Sequence, residues 1–181
     1  DEAQERLGGI AHIFLTHDRP IRVRCYDSVT RIVAGNPSPV RRSRGCAPSP
    51  ISLPVSCAKI LLAVGGQLKG VFALGRGREA MLSHHLGDLD QLDAYQAFER
   101  DIELYTELFD SRPQMIVHDL HPDYASTHYA RRYAAAHETR RIAVQHHHAH
   151  VASCMADHGL NERVIGVAFD GTGFGTDGAI W

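Results

Sequence analysis

One helical face constrains this chain more than any other feature. Leu92, Tyr95, Phe98, Ile102, Tyr105 and Phe109 recur every three or four residues, which places them on one side of an α-helix. A helix with so wide an apolar stripe must pack on another layer. Short apolar runs on either side offer that layer. Residues 59–64, 71–74 and 80–83 precede the helix, and 115–117, 142–144 and 164–169 follow it, each with the length of a buried strand. Gly65-Gly66 supplies a turn after the first run. Asp88 or Asp90 is placed to cap the helix, and Pro113 lies just beyond its end. Two further helices are expected, over 124–136 and from the histidines near 146 to Gly159, a suitable residue just past a helix end. The order β-β-β-α-β-α-β-α-β predicts an α/β fold with a mixed sheet, in which hairpin-linked strands come first and helical crossovers follow.

The preceding stretch has a different texture. His12-Ile13-Phe14-Leu15 and residues 28–33 read as strands, and Gly35-Asn36-Pro37 reads as a turn. Arg41-Arg42-Ser43-Arg44-Gly45 follows, and Pro48, Pro50 and Pro54 then break regular structure, as in a linker between domains. Two units are therefore expected, 1–54 and 55–181.

Charge and composition exclude some functions. The formal net charge of −2 lacks the basic excess of a nucleic-acid binder. No apolar run approaches the roughly 20 residues that span a bilayer, and no signal peptide is visible. Cys25, Cys46, Cys57 and Cys154 form no C-x-x-C pair and read as free thiols in a reducing, cytoplasmic setting. The chain starts at Asp1 without a methionine and stops at Trp181 inside an expected strand, so it reads as a piece of a longer polypeptide.

Chemistry concentrates near the end. His146 and His150 are four apart, so on a helix they share a face and can grip one metal ion; a solvated, histidine-rich helix end is the plain alternative. The apolar run 164–169 then delivers Asp170-Gly171-Thr172-Gly173-Phe174-Gly175. Glycines let the backbone wrap phosphates closely, although a strand followed by a glycine turn also closes ordinary hairpins. Together they suggest a metal beside a nucleotide.

These residues also carry a resemblance. Val144-Gln145-His146-His147-His148-Ala149-His150, Gly166-Val167-Ala168-Phe169-Asp170-Gly171-Thr172-Gly173 and His118-Asp119-Leu120-His121-Pro122-Asp123-Tyr124 closely resemble blocks of the carbamoyltransferases that mature nickel–iron hydrogenases. Ser83-His84-His85-Leu86-Gly87-Asp88-Leu89, Gly66-Gln67-Leu68-Lys69, His17-Asp18-Arg19-Pro20-Ile21 and Arg41-Arg42-Ser43-Arg44-Gly45-Cys46-Ala47-Pro48 are similar to further blocks, in the family's order. The resemblance implies that 1–54 ends a YrdC-like α/β domain with its linker. Residues 55–181 would then form the first, truncated part of a Kae1-like domain of the actin-like ATPase fold.

The resemblance further implies an activity: carbamoyl phosphate is cleaved, its carbamoyl group is activated with ATP as carbamoyl-adenylate, and that group passes to the C-terminal cysteine of a maturation partner, towards the cyanide ligand of the hydrogenase. It implies one divalent metal, iron or zinc, held by His146, His150 and Asp170. Gly171, Thr172, Gly173 and Lys69 are then candidates for nucleotide phosphates, and Arg42 and Arg44 for ATP or the adenylate. His118, Asp119 and His147 would support the ligands from behind, and Ser83-His84-His85 would line the cleft that receives the partner. No nucleic acid or membrane is expected as a partner. An O-carbamoyltransferase of small-molecule biosynthesis shares the same pair of domains, and a non-catalytic nucleotide-binding module is the alternative from another class. With strand 164–169 deprived of neighbours, this segment alone is expected neither to complete the cycle nor to fold robustly.

Overall fold

The computed structural model describes residues 2–181. After a short helix α1 (Glu2–Leu7), strands β1 (Val29–Val33) and β2 (Asn36–Arg41) form an antiparallel hairpin. Val33 pairs with Asn36, so Ala34 and Gly35 alone make the turn, with φ of 48° and 79°. Positive φ at both central residues matches the twist of the flanking strands. The expected turn at Gly35-Asn36-Pro37 therefore sits one residue earlier, and Asn36 and Pro37 belong to β2. Residues 12–15 are not a strand: they have no pairing partner among the described residues, and Ile13 and Leu15 stand in solvent.

The expected proline-broken linker is instead the first half of a long strand, β3 (Pro50–Ala63), antiparallel to β4 (Ala73–Leu82). Pro50 opens the strand, and Pro54 falls between Ser52 and Cys57, where the register slips. A proline lacks the N–H of the ladder and is tolerated where pairing lapses. The carbonyl of Pro54 still accepts a 2.8 Å hydrogen bond from Arg78 Nη2. Residues 71–74 and 80–83 likewise are not two strands, because β4 runs through Gly75 and Gly77 without ending. The register irregularity opposite Cys57 and Leu61 absorbs them, and a side chain on Gly75 would press within 3.0 Å of Leu61. Two long strands thus replace the three short ones expected.

Beyond β4 the sequence reading holds closely. Helix α2 (Leu92–Leu108), strand β5 (Met115–Asp119), helix α3 (Ala125–His137), strand β6 (Arg140–Val144) and helix α4 (His146–Asp157) follow in order. The sheet runs β4-β3-β5-β6, antiparallel at its first step and parallel at the next two. It is the mixed α/β sheet expected. Leu62, Val64, Phe72, Leu74 and Ile116 of the sheet side meet Phe98, Ile102 and Tyr105 of α2 and Tyr129 and Ala130 of α3 in one core. Phe98 stands edge-on to Phe72 at 6.1 Å and to Tyr129 at 5.1 Å, the geometry that aromatic quadrupoles favour.

Helix ends show where local rules won and lost. Neither Asp88 nor Asp90 caps α2; Gln91 occupies that position without a side-chain bond, and Asp88 Oδ1 accepts from the N–H of Asp90 instead. Helix α4 is capped by Gln145, whose Oε1 accepts from the N–H of His148 at 2.9 Å. Gly159 follows its end with φ 66°, as expected. The run 164–169 pairs with nothing among the described residues, and Ile165 and Phe169 are 98% and 99% exposed. No helix among the described residues is long and apolar enough to cross a membrane.

Candidate functional site

Strands β5 and β6 are parallel neighbours, so their carboxyl ends open on the same edge, where open α/β sheets place their sites. Asp119 ends β5, and His146 begins the helix that follows β6. His146 Nδ1 lies 2.6 Å from Asp119 Oδ2. A carboxylate can only accept here, so a ring proton sits on Nδ1, and in the neutral ring the Nε2 lone pair faces outward. Asp119 is itself fixed: its side chain is only 5% exposed, and Oδ1 accepts from the N–H of His121 at 2.8 Å.

The outward nitrogen of His146 is 3.2 Å from Nε2 of His150, one helical turn on. Asp170 Oδ2 approaches the two nitrogens at 2.8 and 3.3 Å. These three side chains offer ligand atoms within 4.8 Å of one another. Bonds of about 2.0–2.2 Å to a single tetrahedral ion would place donor atoms roughly 3.3–3.6 Å apart. The separations of 3.2 and 3.3 Å come close to that and the 2.8 Å one is shorter, and a carboxylate behind a ligating imidazole is the support such ligands usually have. The residues fit a divalent metal.

Asp170 is held below the usual carboxylate range, first by the N–H of Gly171, which donates to Oδ1 at 2.8 Å, and then by the two histidines. Its charge is thus kept available for a cation.

Around this cluster the structure sorts the remaining expected residues. His118 is buried, and its Nδ1 contacts the carbonyl of Asp119 at 2.6 Å. Burial pushes its pKa below the ordinary histidine value. His147 lies against Gly173 of the glycine loop. The N–H of Gly171 is engaged by Asp170, and that of Gly173 donates to the carbonyl of Trp181 at 3.0 Å. Two of the amides expected to cradle phosphate are therefore engaged within the chain, while Thr172 is exposed.

Lys69 does not join the cluster. It lines a separate pocket of about 400 Å³ with Arg41, Arg42 and His85. Arg42 Nη2 donates to the carbonyls of Cys46 and Ser49, and Arg44 Nη2 to that of Cys25. Both guanidinium groups bind backbone oxygens and so brace the loop after β2. His84, expected at a cleft, is buried, with Nε2 3.3 Å from Asp101 Oδ2. That approach is too poorly aligned for a hydrogen bond, and the pair is an electrostatic contact inside the core.

Several further neighbours of the cluster come from turns that the sequence singled out only as segments, without assigning each residue a place. A side chain on Gly66 would meet His146, Asp119 and Tyr124 at 3.6–3.8 Å, so the Gly65-Gly66 turn roofs the site. Gln67 anchors that turn: its Oε1 accepts from the first N–H of α3, at Ala125, at 2.7 Å. His121 stacks on Tyr124 at 4.1 Å and 7°, and Phe174 meets His121 edge-on at 5.5 Å. The strand-end loop and the glycine loop are thus joined by aromatic contact. Periodicity carries no signal for any of these residues, since they come from turns.

Comparison with known proteins decides the family. The model of the HypF Kae1-like domain matches residues 56–157. The chain belongs to the HypF family. It is 49% identical to the carbamoyltransferase HypF of Synechocystis over 99% of its own length, and 46% identical to HypF2 of Cupriavidus necator over all of it. It spans 23% of each of these relatives. Among solved structures it superposes on full-length HypF in the phosphate- and nucleotide-bound form with a TM-score of 0.87 at 48% identity, covering 99% of this chain and 28% of that one. HypF of T. kodakarensis gives 0.77 at 36% identity, over 86% of this chain and 20% of that one. The α/β fold, from the segment before the mixed sheet through the Kae1-like part, is that of these HypF structures.

Proposed function

We propose that this chain is part of a carbamoyltransferase that uses carbamoyl phosphate and ATP to form carbamoyl-adenylate, then transfers the carbamoyl group to the C-terminal cysteine of a hydrogenase-maturation partner. The observation that carries the reading is the convergence of His146, His150 and Asp170 on one point, with Asp119 behind His146. In the proposal residues 1–54 end the YrdC-like, ATP-using part, and 55–181 begin the Kae1-like part. Lys69 and Arg42, which share a pocket, and Arg44 serve the ATP side, and the loop at Gly171, Thr172 and Gly173 serves the adenylate phosphate.

His146, His150 and Asp170 would hold the divalent metal, iron or zinc; the names of the relatives support the transferase and leave the metal to this geometry. When bound, such an ion supplies a Lewis acid for phosphate or carbonyl oxygens. The chain's own residues do the rest. Asp119 keeps the proton of His146 on Nδ1, so its other nitrogen remains a ligand. Gly66 leaves room above that imidazole, and Asp170, held ionised, meets its Nε2. The partner's thiolate forms the new C–S bond as the C–O bond to the adenylate phosphate breaks, releasing AMP. No cysteine of this chain is required.

The test is elemental analysis of the full-length parent protein, as wild type, His146→Ala and His150→Ala, with carbamoyl transfer to the partner assayed in parallel. Stoichiometric metal lost in both variants together with transfer supports the reading. A wild-type protein without metal, or variants that keep it, sinks the metal site. Carbamoylation of a small-molecule hydroxyl instead of the thiol would identify an O-carbamoyltransferase.

A further inference from the structure

Helix α4 carries a histidine that neither faces the cluster nor points freely to solvent. Gln145, the cap of α4, has its Oε1 committed to the N–H of His148 at 2.9 Å, which fixes the orientation of the amide. The Nε2 of Gln145 therefore turns towards His147 Nδ1, a long contact of 3.5 Å. An amide nitrogen only donates, so Nδ1 is the acceptor, and in the neutral ring the proton resides on Nε2. That Nε2 is buried and meets no hydrogen-bond acceptor among the described residues.

It meets Gly173 instead. A Cβ on Gly173 would stand 2.9 and 3.0 Å from Cε1 and Nε2 of His147, and 3.1 Å from Cβ of His146. A side chain on Gly173 would displace this ring, which Gln145 contacts from its other nitrogen. Gly173 is tied on its other side by a reciprocal pair of backbone bonds, 3.0 Å from its N–H to the carbonyl of Trp181 and 2.7 Å in return. Asp170 lies in the same short loop, and its carboxylate must reach both His146 and His150.

We propose that His147 is a positioning residue: its imidazole, seated on Gly173, sets the height of the Asp170–Gly175 loop above α4 and so places the carboxylate of Asp170 between His146 and His150. The consequence for metal affinity rests on the metal reading above; the seating of the loop does not. Gly173 thereby gains a reason to be glycine that is independent of any nucleotide.

The experiment uses the full-length parent as wild type, His147→Ala, His147→Gln, Gly173→Ala and the double variant. Hydrogen exchange across residues 170–181 is measured on metal-stripped protein, and metal affinity by competition with a chelator. The expected result is exchange in that segment rising in His147→Ala and restored towards wild type by His147→Gln, whose amide refills the space. Metal affinity is expected to fall roughly 10-fold in His147→Ala, the scale on which supporting residues act. Gly173→Ala is expected to bind metal more weakly still, and to recover in part in the double variant, where the ring at 2.9 Å is gone and Cβ of His146 at 3.1 Å remains. Exchange in His147→Ala equal to wild type overturns the proposal, and so does a double variant whose loss is the product of the two single losses. If exchange responds as expected but the wild type binds no metal, the seating stands and the metal reading falls. Metal binding with no exchange response separates them the other way.

Discussion

Replacing Asp119 with asparagine tests whether the cluster is built for a metal or is only a set of neighbouring polar groups. In the wild type, Asp119 accepts twice, from His146 Nδ1 at 2.6 Å and from the N–H of His121 at 2.8 Å. Asparagine can keep one of those roles with its oxygen. If the oxygen stays on His121, the amide NH₂ faces Nδ1 of His146 and can only donate to it. The imidazole proton must then move to Nε2, the nitrogen that lies 2.8 Å from Asp170 and 3.2 Å from His150. A protonated Nε2 is no ligand. Loss of a carboxylate behind a ligating histidine typically weakens metal binding about 10–100-fold, or roughly 1.4–2.8 kcal/mol at 1.4 kcal/mol per decade. The assay is chelator competition on the full-length protein, with thermal unfolding of the stripped protein as the control for folding. An Asp119→Asn protein that is folded and binds metal within twofold of wild type would refute the reasoning, because Asp119 would then not control which nitrogen of His146 is free.

Other consequences can be measured on the same protein. Asp101 is fully buried in α2 beside His84, so His84→Ala should cost about 1–3 kcal/mol in denaturant unfolding by removing a polar neighbour of a buried carboxylate; a loss under about 0.5 kcal/mol would mean that Arg100, 3.2 Å away, satisfies Asp101 alone. Phe98 sits between Phe72 and Tyr129 with no exposed surface, and Phe98→Ala should cost about 3–5 kcal/mol through lost transfer energy and a residual cavity. Burial holds the pKa of His118 below its reference value of 6.5. The unfolded chain therefore takes up that proton first as pH falls, so the folded state loses stability below pH 6.5 and is unaffected by this group above it. Unfolding curves between pH 7.5 and 5.5 should fall less steeply in His118→Gln than in wild type; parallel slopes would count against the assignment.

Much of the architecture could be read directly. The stripe from Leu92 to Phe109 predicted α2, and the apolar runs predicted β5 and β6 to within a few residues, because burial on one face writes its own period into a sequence. The i, i+4 spacing of His146 and His150 fixed their shared face once α4 formed, since a helix dictates which residues are neighbours. The resemblance located Asp170 beside them.

Other features were decided only in three dimensions. Pro54 read as a break and residues 75–79 as a gap between two strands, yet they lie within β3 and β4, because the paired strands slip register there, and a slip is a property of the pair. Residues 164–169 have the composition of a strand and pair with nothing among the described residues, since a strand exists only through its neighbours. Asp119 stands behind His146 because β5 and β6 run parallel and end together, and Gly66 roofs the site because Gln67 ties its turn to α3. Lys69, expected at nucleotide phosphates, lines another pocket beside Arg42, because which wall of a fold a turn faces depends on packing that no local pattern records. The sequence by itself determined the elements and the chemistry carried on one helix. The tertiary structure decided which carboxylate, which glycine and which ring meet that helix, for contacts between distant segments are set by the sheet order and the turns that join it.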